Sequence, residues 1–186
     1  MYFEMVSRKF SRRDFLKMTA GGVVLASALP SFSWASLPDE PRALAMNNLN
    51  TGEILETCYF DGKRYINDEL QKLNEFCRDH RRNEVHPMDR RLFDQISQIQ
   101  KLVGTEAEVI VISGYRSPAT NASLRNGSSR VAKKSMHMEG KAIDFRLDGV
   151  KLSTVRDAAL SLKAGGVGYY PGSNFVHIDT GAVRSW

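Results

Sequence analysis

Cysteine is scarce in this chain of 186 residues, which has two cysteines and no Cys-x-x-Cys pair. Two thiols cannot fill the four positions of a structural zinc site, so a zinc module built from cysteines is excluded. Cys58 and Cys77 could form one disulfide in an oxidising compartment or remain as two buried thiols. Their sequence separation leaves both alternatives open, because it does not fix the distance between the two Cα atoms.

Apolar runs of membrane-spanning length are also missing. The apolar stretch at residues 18–29 covers about 18 Å as a helix, whereas the hydrocarbon core of a bilayer is roughly 30 Å thick. We therefore expect no stable membrane span in the mature protein.

Most of the chain lacks an excess of charge of either sign. Of the 26 basic and 21 acidic residues, five basic and two acidic ones lie within residues 1–35. The remaining 21 basic and 19 acidic residues nearly balance. Nucleic-acid-binding domains usually carry a clear basic excess, so we expect no nucleic-acid partner.

The first 35 residues have the layout of an export signal. Arg12 and Arg13 stand in Ser-Arg-Arg-Asp-Phe-Leu-Lys, the apolar stretch follows, and a small-x-small site ends at Ala35. This order is typical of a cleavable secretory signal, and the arginine pair is typical of the twin-arginine route. We predict a twin-arginine signal peptide at residues 1–35, export by the twin-arginine translocase, and a periplasmic domain at residues 36–186. The alternative is a basic amphipathic N-terminal helix.

The pattern of residues 36–186 predicts one α+β domain, with a small, mostly antiparallel sheet and helices packed on it. Strands are predicted at residues 42–49, 53–60, 108–112, 141–147, 167–170 and 175–180. Helices are predicted at residues 67–82, 89–103 and 153–163. Residues 113–134 are polar and irregular in pattern, and we predict a long loop there, of a length that is usually functional or disordered.

Two of the four histidines accompany strands that carry a carboxylate. His80 and His86 lie in polar surroundings, where a surface position is usual. His137 precedes the apolar strand that contains Asp144, and His177 lies within another apolar strand. If these strands pair with Asp144 opposite His177, the two Cβ atoms lie about 5 Å apart and His137 can close over them. Such a trio predicts a metal site with an open position; the alternative is a buried His–Asp pair in the core.

Several motifs in the second half of the chain occur together in one peptidase family. They are SxHxxGxAxD at residues 135–144, Ser-Gly-Tyr-Arg-Ser at 113–117, Gly-Gly-Val-Gly-Tyr-Tyr at 165–170, and Asn-Phe-Val-His-Ile-Asp-Thr-Gly at 174–181. In this combination the chain resembles the zinc peptidases of the Hedgehog/D-Ala-D-Ala peptidase fold, peptidase family M15. The resemblance extends over nearly the whole chain as far as Trp186, and it implies that fold for residues 36–186.

The resemblance also implies an activity and a set of site residues. One zinc ion (Zn²⁺) per chain would be held by His137, Asp144 and His177. Arg116 would pair with a substrate carboxylate, and Ser135 would contact the substrate. The implied activity is zinc-dependent endopeptidase cleavage of the peptide cross-links of peptidoglycan, whose peptide stems are the partners. Two alternatives stay open: a carboxypeptidase that removes terminal D-alanine, and a non-catalytic zinc-containing wall-binding module.

One position departs from the family pattern. Many members carry Glu or Asp three residues before the last histidine as the general base, but this chain has Asn174 there. Relatives with His-x-His use another histidine instead, and this chain has Phe175 at that position. An amide cannot accept the proton of an attacking water. We take Asp179 as the first candidate for the base and Glu139 as the second; alternatively, Asp179 orients His177.

Overall fold

The computed structural model describes residues 40–127 and 131–186. The predicted twin-arginine signal peptide at residues 1–35 lies outside the described residues, as do residues 36–39 and 128–130. Within the described ranges, no helix combines the length and the apolar character that crossing a bilayer requires.

Seven strands and four α-helices make up the described part of the chain. The strands are β1 (Arg42–Asn48), β2 (Ile54–Phe60), β3 (Val109–Ser113), β4 (Ala142–Leu147), β5 (Gly166–Tyr170), β6 (Phe175–Asp179) and β7 (Arg184–Ser185). The helices are α1 (Asn67–Phe76), α2 (Arg91–Val103), α3 (Pro118–Gly127) and α4 (Leu152–Leu162). Two 3₁₀ turns lie at Met136–Glu139 and Pro171–Ser173.

The seven strands form one sheet in the order β2-β1-β3-β4-β6-β5-β7. β1 lies parallel to β3 and β5 lies parallel to β7, whereas the other four neighbouring pairs are antiparallel. The α+β class is confirmed, and antiparallel pairs are the majority as expected. The sheet nevertheless includes two parallel pairs, which makes it mixed, and it has seven strands rather than the six predicted. β7 was not predicted because two residues are too few to show an alternation. The fold type that the family resemblance implies stays a prediction.

Alternation along the central strands separates the core from the site. Ile143 and Phe145 of β4 are fully buried in the hydrophobic core. Helix α4 contacts β4, β5 and β6, and it contributes Val155 to the same core. Because successive strand residues point to opposite faces of a sheet, Asp144 and the opposing His177 face away from this core.

Helix α3 occupies residues where we expected an irregular loop. Ser117 caps its first turn, since the Thr120 N–H donates to Ser117 Oγ at 3.2 Å and the Asn121 N–H donates to Ser117 O at 2.8 Å. Pro118 stands at the first helical position, where no N–H is needed. The loop prediction was therefore wrong for this segment, because its serine, asparagine and glycine content hid a properly capped helix.

Helix α1 ends at Phe76, earlier than the predicted residue 82. The chain then makes a tight turn, in which the Asp79 N–H donates to Glu84 O at 2.9 Å. Charged residues fill this segment, so the sequence has no apolar period there that would mark the end of the helix. The turn places the buried Asp79 beside Ser117.

The two cysteines are free thiols on different elements. Cys58 lies on β2 and is exposed, whereas Cys77 follows α1 and is fully buried. Burial raises the pKa of the Cys77 thiol to about 12. Cys77 is therefore an unreactive part of the core.

Candidate metal centre

Three of the predicted site residues meet in one buried cluster. Asp144 of β4 stands directly opposite His177 of β6, and the turn Met136–Glu139 carries His137. One donor atom from each residue lies within 4.8 Å of the other two. All three residues are buried, so each polar side chain depends on neighbouring groups of the protein for hydrogen bonds.

The backbone fixes the ring of His137. Its Nδ1 lies 2.8 Å from Gly114 O, and its carbonyl accepts the Arg116 N–H at 3.2 Å. A carbonyl only accepts, so Nδ1 donates its proton to Gly114 O and Nε2 is the ring nitrogen that faces the other two residues. His137 Nε2 lies 3.2 Å from His177 Nδ1 and 3.3 Å from Asp144 Oδ1. His137 therefore faces the cluster through Nε2.

Gly140 shapes the turn that presents His137. Its φ is +64, a conformation that other residues adopt only at a cost. A Cβ at this position would collide with Pro87 O, and the Gly140 carbonyl accepts the Asp89 N–H at 2.8 Å. Any side chain here would push the turn away from the segment that supports it.

His177 faces the cluster through its other ring nitrogen. Its Nδ1 lies 2.8 Å from Asp144 Oδ1, and its Nε2 lies 3.3 Å from Asp179 Oδ2. Burial lowers the pKa of His177, but the bonds to Asp144 and Asp179 outweigh burial and raise the pKa to about 9. Without a metal, the His177 ring is protonated on Nδ1, which faces the Asp144 carboxylate, and on Nε2, which faces the Asp179 carboxylate. A cation bound at Nδ1 would replace one of those protons.

Asp144 is held in its charged form. Burial raises the pKa of this carboxyl, but the neighbouring His137 and His177 outweigh burial and keep the pKa well below its usual range. Arg116 adds positive charge, since its Nη2 lies 3.9 Å from Asp144 Oδ2. A buried, ionised carboxylate between two imidazoles is suited to bind a divalent cation.

Asp179 lies against the Nε2 edge of the His177 ring and is fully buried. Its Oδ1 accepts the N–H groups of Gly166 and Gly181, both at 2.9 Å, and Arg184 binds both carboxylate oxygens. Burial raises the pKa of Asp179, but the bonds from His177, Arg184 and the two amides outweigh burial and keep it well below its usual range. This arrangement suits a group that orients His177.

The other two positions considered for proton transfer are exposed. The Glu139 carboxylate pairs with Lys141 Nζ at 2.8 Å. Asn174 follows the turn Pro171–Ser173 with φ +54. The structure therefore brings Asp179 into contact with the cluster and directs the Glu139 carboxylate to a surface lysine.

The two predicted substrate-binding residues, Arg116 and Ser135, both precede His137 in the chain. Arg116 is largely buried: its Nη2 lies 3.3 Å from Ser113 Oγ and its Nη1 lies 3.5 Å from Asn121 Oδ1. Burial lowers the pKa of Arg116, yet a guanidinium stays charged at any ordinary pH. Ser135 is half-buried and precedes the turn that carries His137.

Asp79 supports the site and was missed by the sequence analysis. Its Oδ2 accepts the Ser117 N–H at 3.0 Å and the Ser117 hydroxyl at 2.6 Å, and its Oδ1 accepts the Arg81 N–H at 3.1 Å. These bonds anchor the loop from which Gly114 and Arg116 contact the cluster. The Ser117-Pro118 pair could have revealed the helix cap, but nothing in the sequence links it to Asp79.

A stacked ring pair also supports this loop. His86, which we expected at the surface, is half-buried. Its ring lies against Tyr115, with ring centroids 4.6 Å apart and planes 12° apart. The Tyr115 N–H donates to Cys77 O at 2.7 Å, and a Cβ at Gly114 would lie 2.5 Å from the same oxygen. The loop therefore needs glycine at 114 to approach the end of α1.

Two imidazole nitrogens and one carboxylate oxygen form a donor set that fits zinc. Catalytic zinc sites in proteins commonly have three such ligands and keep the fourth position open. In this cluster the ring nitrogens that face away from Asp144 are bound by Gly114 O and by Asp179. Partners of this kind fix the orientation of metal-binding histidines.

Comparison with known proteins places the chain in a family. Residues 36–186 match a family of M15 peptidases described as Peptidoglycan L,D-endopeptidase MepK. Peptidoglycan L,D-endopeptidase MepK of Escherichia coli (strain K12) is 52% identical over 179 residues, which cover 95% of this chain and 97% of the relative. Probable peptidoglycan L,D-endopeptidase MepK of Haemophilus influenzae is 48% identical over 180 residues, which cover 95% of each chain. No solved structure matches the chain. This chain is therefore a peptidase that belongs to the MepK family within peptidase family M15.

Proposed function

We propose that this protein is a zinc-dependent endopeptidase that hydrolyses peptide cross-links of peptidoglycan. The observation that carries the proposal is the buried trio of His137, Asp144 and His177, whose donor atoms lie within 4.8 Å of one another. The relatives are named for an L,D-endopeptidase activity. We therefore propose cleavage at a bond that joins an L centre to a D centre, as in a cross-link between two diaminopimelate residues.

In this proposal His137 Nε2, Asp144 Oδ1 and His177 Nδ1 hold one zinc ion. When bound, zinc would lower the pKa of a water molecule and polarise the scissile carbonyl. The Gly114 carbonyl keeps the proton of His137 on Nδ1, so that the lone pair of Nε2 is available as a ligand. Asp144 supplies the negative charge that the two neutral rings lack.

Arg116 is the proposed anchor for a carboxylate of the substrate. Its guanidinium lies 3.9 Å from Asp144, so a substrate carboxylate bound there would lie close to the reacting bond. The planar fork of arginine can bind a carboxylate through two parallel hydrogen bonds. Ser135, immediately before the turn of His137, is proposed as a second substrate contact.

We assign Asp179 a positioning role rather than that of the general base. Its oxygens are bound by Arg184, two backbone amides and His177 Nε2, and its low pKa makes it a poor acceptor of a proton. A carboxylate on the second nitrogen of a metal-binding histidine fixes the ring and strengthens it as a ligand. Glu139, the second candidate in the sequence analysis, then remains as a candidate for the base.

We also propose that the protein works in the periplasm after export by the twin-arginine translocase. The Arg12-Arg13 pair, the apolar stretch and the site at Ala35 support this route. Peptidoglycan is found outside the cytoplasmic membrane, so the proposed substrate and the proposed location agree.

Digestion of purified sacculi tests the proposed activity. After the treated sacculi are cut at their glycan strands with a muramidase, the wild-type protein should have converted cross-linked muropeptides into monomers. A chelator should abolish this activity, and zinc should restore it. The His177→Ala variant is the inactive control, and the Lys63→Ala variant, at an exposed position, is the active control. Release of terminal D-alanine from pentapeptide monomers, with cross-links intact, would instead identify a carboxypeptidase. Binding to sacculi with no product of either kind would identify a wall-binding module.

A further inference from the structure

Strand β5 presents two glycines on the face of the sheet that carries His177. Gly168 stands opposite His177 in the β5–β6 register, and Gly166 lies two residues before it on the same face. The N–H of Gly166 donates to Asp179 Oδ1 at 2.9 Å. With no side chains at these positions, the surface of β5 is bare between β7 and β6.

Arg184 of β7 crosses this bare surface at Gly166, its register partner. Its Nη1 lies 3.1 Å from Asp179 Oδ1 and its Nη2 lies 2.5 Å from Asp179 Oδ2. A Cβ at position 166 would lie 2.5 Å from Arg184 Nη1. A side chain at position 166 would therefore displace the Arg184 guanidinium or the Asp179 carboxylate from its present place.

Trp186 crosses β5 in the same way at Gly168. Its ring centroid lies 5.3 Å from that of His177, and its Nε1 donates to the Tyr170 hydroxyl at 2.7 Å. A Cβ at position 168 would lie 2.8 Å from Trp186 Cε2. The Trp186 N–H donates to Val167 O and the Tyr169 N–H donates to Trp186 O, so backbone pairing with β5 sets the position of the indole.

We propose that Arg184 and Trp186 are positioning residues of the metal centre. Arg184 holds Asp179, Asp179 holds His177 Nε2, and the indole of Trp186 packs against the His177 ring. Together they fix the plane in which His177 presents Nδ1. This inference rests on the proposed function, because it assigns the two residues to the same metal site.

Burial argues against a role in core packing alone. The side chain of Arg184 is 44% exposed, whereas Asp179, its partner, is fully buried. Trp186 is 51% exposed. Both residues therefore bury the part of the side chain that touches Asp179 or His177 and leave the rest in solvent, so little of the hydrophobic core depends on them.

The test measures metal binding directly in purified full-length protein. Zinc affinity is measured by competition with a chromophoric chelator, and the visible spectrum of the Co²⁺-substituted protein reports the geometry of the ligands. The variants are Arg184→Ala, Arg184→Lys and Gly166→Ala. Arg156→Ala is the matched control for arginine. The Cζ atom of Arg156 lies 4.6 Å from the centroid of the Tyr169 ring on β5, and Arg156 makes no described contact with the cluster. Gly172→Ala is the matched control for glycine, because a Cβ there has nothing within 4 Å.

We expect Arg184→Ala and Gly166→Ala to weaken zinc affinity by about 10–100-fold and to shift the Co²⁺ bands. Arg184→Lys should recover part of the affinity, and both controls should match the wild type. Unchanged affinity and spectrum in Arg184→Ala would overturn the inference, as would equal losses in Arg184→Ala and Arg156→Ala. The melting temperature of the metal-free variants shows whether they fold. Trp186→Phe is a milder variant, because it retains an aromatic ring beside His177. A wild-type protein that binds neither ion would contradict the proposed function and this inference together.

Discussion

His137 and His177 present different ring nitrogens to the same cluster, Nε2 in one case and Nδ1 in the other. The difference follows from what binds the opposite nitrogen of each ring. The Gly114 carbonyl accepts from His137 Nδ1, and Asp179 lies on His177 Nε2. At the scale of single residues, the site is therefore determined by the partners of the histidines as much as by the histidines themselves.

The change Asp179→Asn distinguishes the two roles considered for this carboxylate. As the group that orients His177, its loss should weaken zinc affinity by roughly 10–100-fold, and excess zinc should restore much of the rate. A general base would instead lower kcat by roughly 10²–10⁴-fold with zinc retained. Measurement of kcat and zinc affinity separates these outcomes. Glu139→Gln is the parallel variant, and its inactivity beside an unaffected Asp179→Asn would assign the base to Glu139.

Substitution of Arg116 by lysine keeps the charge and removes the planar fork. A hydrogen bond to a charged group contributes about 1.5–3 kcal/mol, which corresponds to roughly 10–100-fold in kcat/KM. We expect Arg116→Lys to lower kcat/KM by this factor, mainly because KM rises, and to leave the zinc content unchanged. Arg125→Lys, an exposed arginine on α3, is the control. An Arg116→Lys enzyme with wild-type kcat/KM would show that Arg116 does not bind a substrate carboxylate.

At the scale of elements, two short connections complete the site on the sheet. The loop at residues 114–117 follows β3, and the turn Met136–Glu139 precedes β4. Each is held by a buried or glycine-dependent contact, through Asp79 in the first case and Gly140 in the second. Because β4 and β6 are central strands, these connections determine where His137 and Arg116 lie relative to a fixed Asp144 and His177.

The change Asp79→Ala tests the anchor of the first loop. It leaves the buried Ser117 N–H and hydroxyl without their acceptor, at a cost of about 1–3 kcal/mol each. We expect a lower free energy of unfolding and a raised KM, since Arg116 follows the loop. Asp157→Ala, which removes an exposed carboxylate, is the control. Equal stability and KM in both variants would show that Asp79 does not hold the loop.

The stabilisation by Asp79 also has a predictable pH dependence. Burial raises the pKa of Asp79, but hydrogen bonds from Ser117, Thr120 and Arg81 outweigh burial and lower it. A carboxyl with a lowered pKa in the folded protein stabilises the fold above its unfolded pKa of about 3.9. The stability difference between wild type and Asp79→Ala should therefore be largest near neutral pH and shrink as the pH falls through the acidic range.

The sequence predicted the central register and missed the contacts made across the sheet. Alternation within two apolar strands gave the faces of Asp144 and His177, and the pairing that the sequence analysis supposed for them is the one observed. Helix α3 was missed because its composition favours loops, although Ser117 and Pro118 mark its start. The ion pair of Arg184 with Asp179 could not be foreseen, because it depends on a two-residue strand that folds back across Gly166.

At the scale of the whole molecule, the mixed sheet carries the hydrophobic core on one face and the polar cluster on the other along β4 and β6. The parallel pairs β1–β3 and β5–β7 lie towards the two edges of the sheet, and the antiparallel pairs β4–β6 and β5–β6 lie beneath the cluster. Directly opposed antiparallel strands bring side chains from distant parts of the chain close together. The topology therefore explains why residues that are far apart in sequence form one site.

The whole precursor is expected to depend on its arginine pair for export. Arg12→Lys together with Arg13→Lys should leave the precursor in the cytoplasm, because the twin-arginine route recognises the pair itself rather than its charge. Fractionation of cells followed by immunodetection measures the outcome. Arg8→Lys is the control and should be exported normally. Normal periplasmic accumulation of the double variant would show that another route is used.

Anomalous diffraction at the zinc absorption edge, from crystals of the protein grown with zinc, tests the proposed metal centre most directly. The account predicts one zinc per chain, bound by His137 Nε2, an oxygen of Asp144 and His177 Nδ1, with Asp179 on His177 Nε2. A zinc peak elsewhere on the chain, a His177 ring bound through Nε2, or no peak at the cluster would contradict it.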